Sequence, residues 1–214
     1  SGPMTASDLC QIVWTPGELP SIVDQAESAL LGVAIEDQPV IYQRGGVLVR
    51  IVRRGPTTAR RMSRAAGSLG IVALDVSALV ELLTKHAQWL RPLRSAKSGD
   101  EAYKIINAPQ EVANVLLSRK QWRFPPLTGV IEAPTIRPDG TLLDSPGYDG
   151  ATGLFFDPGE YEFPPIDRSP DSETAREGLA DLEDALSEFP FESDVDKSVA
   201  LAAILTALVR PSLS

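Results

Sequence analysis

PVIYQRGGVLVRIVRR, residues 39 to 54, decides the fold class. Apolar and polar residues alternate on both sides of Gly45-Gly46, and a period of two belongs to strands. The glycine pair supplies the positive φ angles that a two-residue hairpin turn demands. Antiparallel β structure is therefore expected at the centre of the chain. Helical patterns flank it, so the class is α+β, with short antiparallel strands and a helical pair at the C-terminal end.

Upstream, QIVW (11–14) reads as a strand. TPGE (15–18) has capping-box spacing, and Ile22, Val23, Ala26, Ala29 and Leu30 then share a helical face that Gly32 ends. Downstream, GPTTARRMSRAAGSLG (55–70) carries no sustained period and reads as an exposed loop. A second helix is expected from Asp75 as N-cap through Trp89, burying Leu79, Val80, Leu82, Leu83 and Ala87. EAYKII (101–106) suits a short strand. A third helix opens at Asn107, where NAPQ offers a cap and an early proline, and runs through EVANVLLSRKQW. The order helix, strand, helix, hairpin over 75–147 is compatible with a winged-helix variant. Beyond 124 come short strand-like pieces, LTGVIEAP, TIRP, TLLD and GLFFD.

Asp139, Asp144, Asp149 and Asp157 punctuate those pieces and look at first like metal ligands. Their neighbours say otherwise. Pro138-Asp139-Gly140 and Asp149-Gly150 are turn chemistry, and a calcium loop would need acids at alternate positions closed by a glutamate. Neither a metal nor another cofactor is expected. Residues 158–170, with four prolines, read as an extended linker. Two helices follow: an acidic one opened by Asp171 and Ser172, with Leu179, Leu182, Ala185 and Leu186 on one face, and one over 197–210 that is apolar nearly all round. The organisation is thus a cleavage remnant at 1–3, a mixed α+β domain at 4–157, a linker, and a two-helix segment at 171–214.

The 214 residues are 43% hydrophobic, enough for a real core. No apolar run of membrane-spanning length occurs and no secretory pattern opens the chain, so neither a membrane nor secretion is expected. The one cysteine, Cys10, fits a reducing cytoplasm. Net charge is −9, unevenly spread. Residues 1–40 hold six acids and no Lys or Arg; 41–137 hold 16 Lys or Arg against six acids, a net +10; 138–214 hold four against 17, a net −13.

The basic centre is the functional lead. Arg44, Arg50, Arg53, Arg54, Arg60, Arg61 and Arg64 cluster on the hairpin and the loop after it, and Arg91, Arg94, Lys97, Arg119, Lys120 and Arg123 follow. Arginines on a ribbon reach phosphates while Trp122 or Tyr42 offers a stacking surface, the combination that binds single-stranded nucleic acid. The alternative is that these cations pair with the acidic flanks of the same chain. His86, the one histidine, cannot build a triad or a zinc site alone. Cys10, expected to be buried or terminal, has no activating base nearby. Glu160 and Glu162 sit in the linker, and no enzymatic constellation emerges.

PPLTGVIEAPTIRPDGTLLDSPGYDGATGLFFDP, the acidic helix, and EFPFESDVDKSVALAAILTALVRP together resemble the segment that precedes the ATPase core in replication proteins of phages, prophages and other mobile elements. YQRGGVLVRIVRR and ANVLLSRKQWRFPPLTGV match the upstream part of that pattern, so the resemblance spans about 40 to 210. It implies a primase-helicase with an AAA+ or superfamily-three motor after residue 214, with DNA, that motor and further copies of the chain as partners. One departure limits the chemistry: no G-x-x-x-x-G-K-[ST] occurs, and GPTTARR (55–61) lacks the second glycine and the lysine. ATP hydrolysis is not expected of these 214 residues. The expected role is a non-catalytic DNA-contacting or assembly module, or else a scaffold that docks an ATPase or another partner without touching DNA.

Overall fold

The computed structural model describes residues 9–35, 38–53, 67, 69–93 and 102–209, and the backbone at 57–59 and 62–64. The chain divides into two units between Val130 and Ile131. That boundary falls well before the linker at 158, because the core of the first unit draws on residues from Ile12 to Phe124 while Leu143, Leu154, Phe156 and Ile131 form a small cluster of their own.

The first unit begins with β1 (Cys10–Val13), α1 (Leu19–Leu31), β2 (Ala34–Ile35) and β3 (Gln38–Pro39). The α1 face is as the pattern foretold: Ile22, Val23, Ala26 and Leu30 are buried. Its start is not. Glu18 holds the N-cap position without a side-chain cap bond, and Pro20 opens the helix, so the TPGE box does not form. Next come β4 (Tyr42–Arg44) and β5 (Val47–Arg53), paired antiparallel with Tyr42 opposite Val49. Gly45 and Gly46 turn the corner at φ 54° and 76°, as required of a two-residue loop whose twist matches its strands.

The stretch expected to be a loop contains β6 (Thr57–Ala59) and β7 (Met62–Arg64), paired antiparallel, before β8 (Leu69–Ala73) adds to β5. The loop reading sought an apolar period of two. A small ribbon needs only backbone pairing, which branched Thr57 and Thr58 favour.

α2 (Val76–His86) is capped by Asp75, whose Oδ1 accepts the Ala78 amide at 2.7 Å. It stops at His86, three residues short of the expected Trp89. Ala87 is already extended, and β9 (Ala87–Leu93) forms the centre of a sheet with β1 parallel on one side and β10 (Ala102–Ile106) antiparallel on the other. The Trp89 indole donates back to the Leu83 carbonyl at 2.9 Å. α3 (Gln110–Ser118) repeats the device: it ends four residues short of the expected Trp122, whose indole donates to the Leu116 carbonyl at 2.7 Å. In each case a tryptophan six residues after a leucine of the last turn donates to that leucine's carbonyl: the Leu83 carbonyl also accepts the Ala87 amide, while for the Leu116 carbonyl the indole takes the place of a helical donor. At its other end α3 has no side-chain cap. Asn107 does not serve, and the loop is pinned instead by the Ala108 amide donating to Thr84 Oγ1 at 3.0 Å.

The boundary falls within β11 (Gly129–Ile131), and the second unit contains β12 (Thr135–Ile136), β13 (Leu142–Leu143), β14 (Gly147–Asp149), β15 (Leu154–Phe156), α4 (Ser172–Ala185) and α5 (Asp194–Val209). The hairpin β12–β13 thus belongs to a different unit from α2 and α3, and 75–147 is not one winged helix. The four aspartates shape the backbone. Asp139 Oδ1 accepts the Thr141 amide and hydroxyl, Asp157 Oδ1 accepts the Gly159 amide, Asp144 pairs with Arg168, and Asp149 takes Arg137 at 3.0 Å and the Thr152 hydroxyl at 2.6 Å. Residues 158–170 form no helix or strand, yet they are anchored: the Phe163 ring lies 6.3 Å from Phe156, and Arg168 reaches Asp144. Asp171 caps α4, and Ser193 with Asp196 forms a reciprocal box at the start of α5. Among the described residues no helix is long and apolar enough to cross a membrane.

Two outcomes follow. Trp122→Phe keeps most of the ring volume but orphans the Leu116 carbonyl, so it should cost about 1–3 kcal/mol in urea unfolding, and Trp89→Phe should cost less, since the Leu83 carbonyl keeps the Ala87 amide; a neutral result at Trp122 would contradict the helix-stop assignment. Asp149 is held below its usual 3.8, first by the Arg137 hydrogen bond and then by Thr152, against burial. The stabilisation it provides is complete above that value and is lost as pH falls through the lowered folded-state value. An acid series of melting temperatures should show Asp149→Asn starting lower and losing less than the parent below about pH 4.

Candidate nucleic-acid interface

The expected cationic residues separate into two groups. In the group at 119–123 the cations have partners within the first unit, though Lys120 and Arg123 remain exposed. After α3, Lys120 adopts φ 60°, the one non-glycine residue with positive φ among those described, and the chain doubles back beneath α1. Arg119 pairs with Asp24 and approaches Glu27 at 3.7 Å. Glu27 is almost fully buried, and its carboxylate accepts the Arg123 amide at 2.7 Å and the Arg123 guanidinium at 3.3 Å. Lys120 donates to the Gly46 carbonyl at 2.9 Å, tying the exit of α3 to the hairpin turn. Trp122 is 8% exposed and Tyr42 1%, so neither presents a ring for a base to stack on. Arg119 and Arg123 thus meet acids of α1, as the pairing alternative expects, while Lys120 meets a backbone carbonyl.

The reason lies in what a buried carboxylate requires. Glu27 on the covered face of α1 would be costly alone, and two guanidinium groups plus a backbone N–H satisfy it. A residue-by-residue reading counts Arg119 and Arg123 as free cations because their acceptors lie about 95 residues earlier.

The other group sits on the hairpins. Arg44 is exposed at the end of β4; Arg53 is exposed and reaches the Gly67 carbonyl at 3.4 Å. Arg50 is half-buried on the face it shares with Leu48, and its Nε is enclosed without a hydrogen-bond partner among the described residues. Arg64 lies in β7, and Arg54, Arg60 and Arg61 lie outside the described residues.

The structure adds a pair that pattern reading could not assemble. In the β9–β10 ribbon Arg91 stands directly opposite Lys104, both exposed, and neither has a carboxylate partner among the described residues. Opposed residues on one face have Cβ atoms roughly 4.5–5.5 Å apart, so two like charges are held together there. Tyr103 and Ile105, 43% and 65% exposed, occupy the other face of β10. A shallow cavity of about 610 Å³ at the base of the ribbon is lined by Trp89, Ile106, Thr84 and Asn107 among others, with Lys104 as its single charged residue. Only the β9–β10 register reveals the pair, and the helix expected through Trp89 had concealed it.

The remaining candidates fall away from this surface. His86 is half-buried at the end of α2, its pKa lowered by burial and then by Lys85, so it adds no charge near neutral pH. Cys10 is exposed, not buried, at the start of β1. Among the described residues no three His, Cys, Asp or Glu side chains converge as metal ligands.

Removing both arginines from Glu27 strands a buried charge. The double variant Arg119→Ala, Arg123→Ala should lose about 3–5 kcal/mol in urea unfolding, more than the two single variants together, since either arginine partly compensates for the other. Additive losses under 1 kcal/mol would show that the carboxylate is not the organising group.

Compared with known proteins, the chain matches no family model, no curated protein and no solved structure.

Proposed function

We propose that this chain is a non-catalytic module that contacts single-stranded or forked DNA through the cationic hairpins of its first unit, within the replication apparatus of a mobile element. The observation that carries the reading is the Arg91–Lys104 pair. Like charges opposed across a ribbon destabilise it, and a phosphate between them reverses the sign of that interaction. Arg44 on the β4–β5 hairpin adds to the cationic residues available, and Tyr103 offers a partly exposed ring on the reverse face of the ribbon. The replication setting rests on the resemblance of 40–210 to pre-ATPase segments, and the motor it implies would supply the chemistry that these residues do not contain.

A second reading, a protein-docking scaffold, is favoured by a different observation: α5 leaves Val195, Val199, Leu205 and Leu208 exposed. The two readings concern different units and do not exclude each other.

The DNA reading has a test in which stability and binding move in opposite directions. Lys104→Glu places an acid opposite Arg91, which should hold or raise the melting temperature, since opposed opposite charges contribute about 0.2–1 kcal/mol. The same variant should weaken binding of a fluorescent oligonucleotide at 50 mM salt. Reversing Arg91 and Lys104 together should flatten the salt dependence, by about 1.4 in the slope of log K against log salt at roughly 0.7 per phosphate contact. Unchanged anisotropy titrations for both variants would refute the reading.

A further inference from the structure

The second unit ends in two helices whose apolar residues are left in the open. In α4 no residue is buried, and Leu179 is 41% exposed. In α5 one residue, Leu201, is buried. On the opposite side Val195 and Val199, one turn apart, are 70% and 63% exposed, and Ala202 continues their row at helical spacing. An all-round apolar helix in water leaves a stripe that requires cover.

Charge selects what covers it. Residues 171–209 hold ten acids against Arg176 and Lys197, and Lys197 is already paired with Glu183 at 3.3 Å. Glu188, Glu192, Asp194 and Asp196 are exposed around the start of α5, beside Val195. A second copy of this surface would bring like charges together as the stripes met, whereas a cationic partner gains on both counts. Small side chains along the stripe, Val, Val and Ala, permit the close approach of another helix.

We infer that α4 and α5 form the receiving surface for a basic amphipathic helix, an apolar stripe flanked by Lys or Arg, supplied by another protein or domain. The inference rests on the docking reading above and is independent of DNA contact. The acids attract and orient the incoming helix; the valine row provides the area that holds it.

The test uses the full chain and a fluorescein-labelled 18-residue Leu/Lys peptide with leucines at helical spacing. Its controls are a scrambled peptide of the same composition and a Leu/Glu counterpart. The Leu/Lys helix should bind and become helical by circular dichroism, and the two controls should bind at least about tenfold more weakly. Val195→Ser with Val199→Ser, both highly exposed, should weaken binding about tenfold while leaving the melting temperature unchanged. Glu188→Gln with Glu192→Gln should lower affinity chiefly at low salt. Equal binding of the scrambled peptide, or no loss in the valine variant, overturns the inference. Light scattering separates its failure from that of the docking reading. A dimer dissolved by the valine substitutions would keep docking and replace the basic helix by a second copy. A monomer that takes none of the peptides would remove both.

Discussion

The first unit depends on one buried carboxylate. Glu27 lies on the covered face of α1, where an apolar residue would be unremarkable, and it must be met by donors from elsewhere. Arg119, Arg123 and the Arg123 amide meet it, which fixes the segment after α3 against α1. That placement lets Gln43 extend its amide to the carbonyls of Trp122 and Phe124, so the outer edge of β4 is closed by the same segment. Helices and hairpin are thereby joined through a single acid, with Lys120 on Gly46 as a second tie.

Such an arrangement divides the described cations of the basic centre into engaged and unengaged ones. Net positive charge over 41–137 is a sum, and a sum says nothing about which cations are already engaged. Arg119 and Arg123 serve the fold. Arg91 and Lys104 oppose it, each being held against a like charge with no carboxylate partner among the described residues, and that repulsion is the more informative sign of an external anion. In the second unit the same distinction operates with sign reversed. Asp139, Asp149 and Asp157 are occupied by backbone and hydroxyl donors in turns, whereas the acids around the start of α5 stand beside exposed valines.

What the sequence made legible was local. Gly45-Gly46 announced its turn because only positive φ closes a two-residue hairpin; the α1 face and the Asp75 cap followed from spacing and from one side-chain acceptor. What it concealed was long-range. The ends of α2 and α3 were extended to Trp89 and Trp122 because each indole lies seven residues, close to two helical turns, past an apolar position, Leu82 and Val115. In fact the ring turns back to bond the leucine carbonyl after the helix has ended. The Glu27 cluster and the Arg91–Lys104 pair require register and packing between distant segments, to which composition and periodicity are blind. The division between Val130 and Ile131 was hidden for a related reason: prolines at 158–170 signal irregular backbone, which need not separate two cores.

The indole stop on α2 also sets parity. Strand residues alternate sides, so the residue at which β9 begins determines which side chains point together for its whole length. With Trp89 seated inward beside Ile12, Arg91 and, through the pairing, Lys104 fall on its side, while Leu90, Pro92, Tyr103 and Ile105 fall on the reverse. Lengthening or shortening the span between Leu83 and Trp89 by one position, with the pairing of β9 to β1 held, would turn the indole outward and put Leu90 and Pro92 on the side where Arg91 now stands. The distance from a helix's last leucine to its tryptophan thus acts as a ruler for which side of the ribbon carries charge.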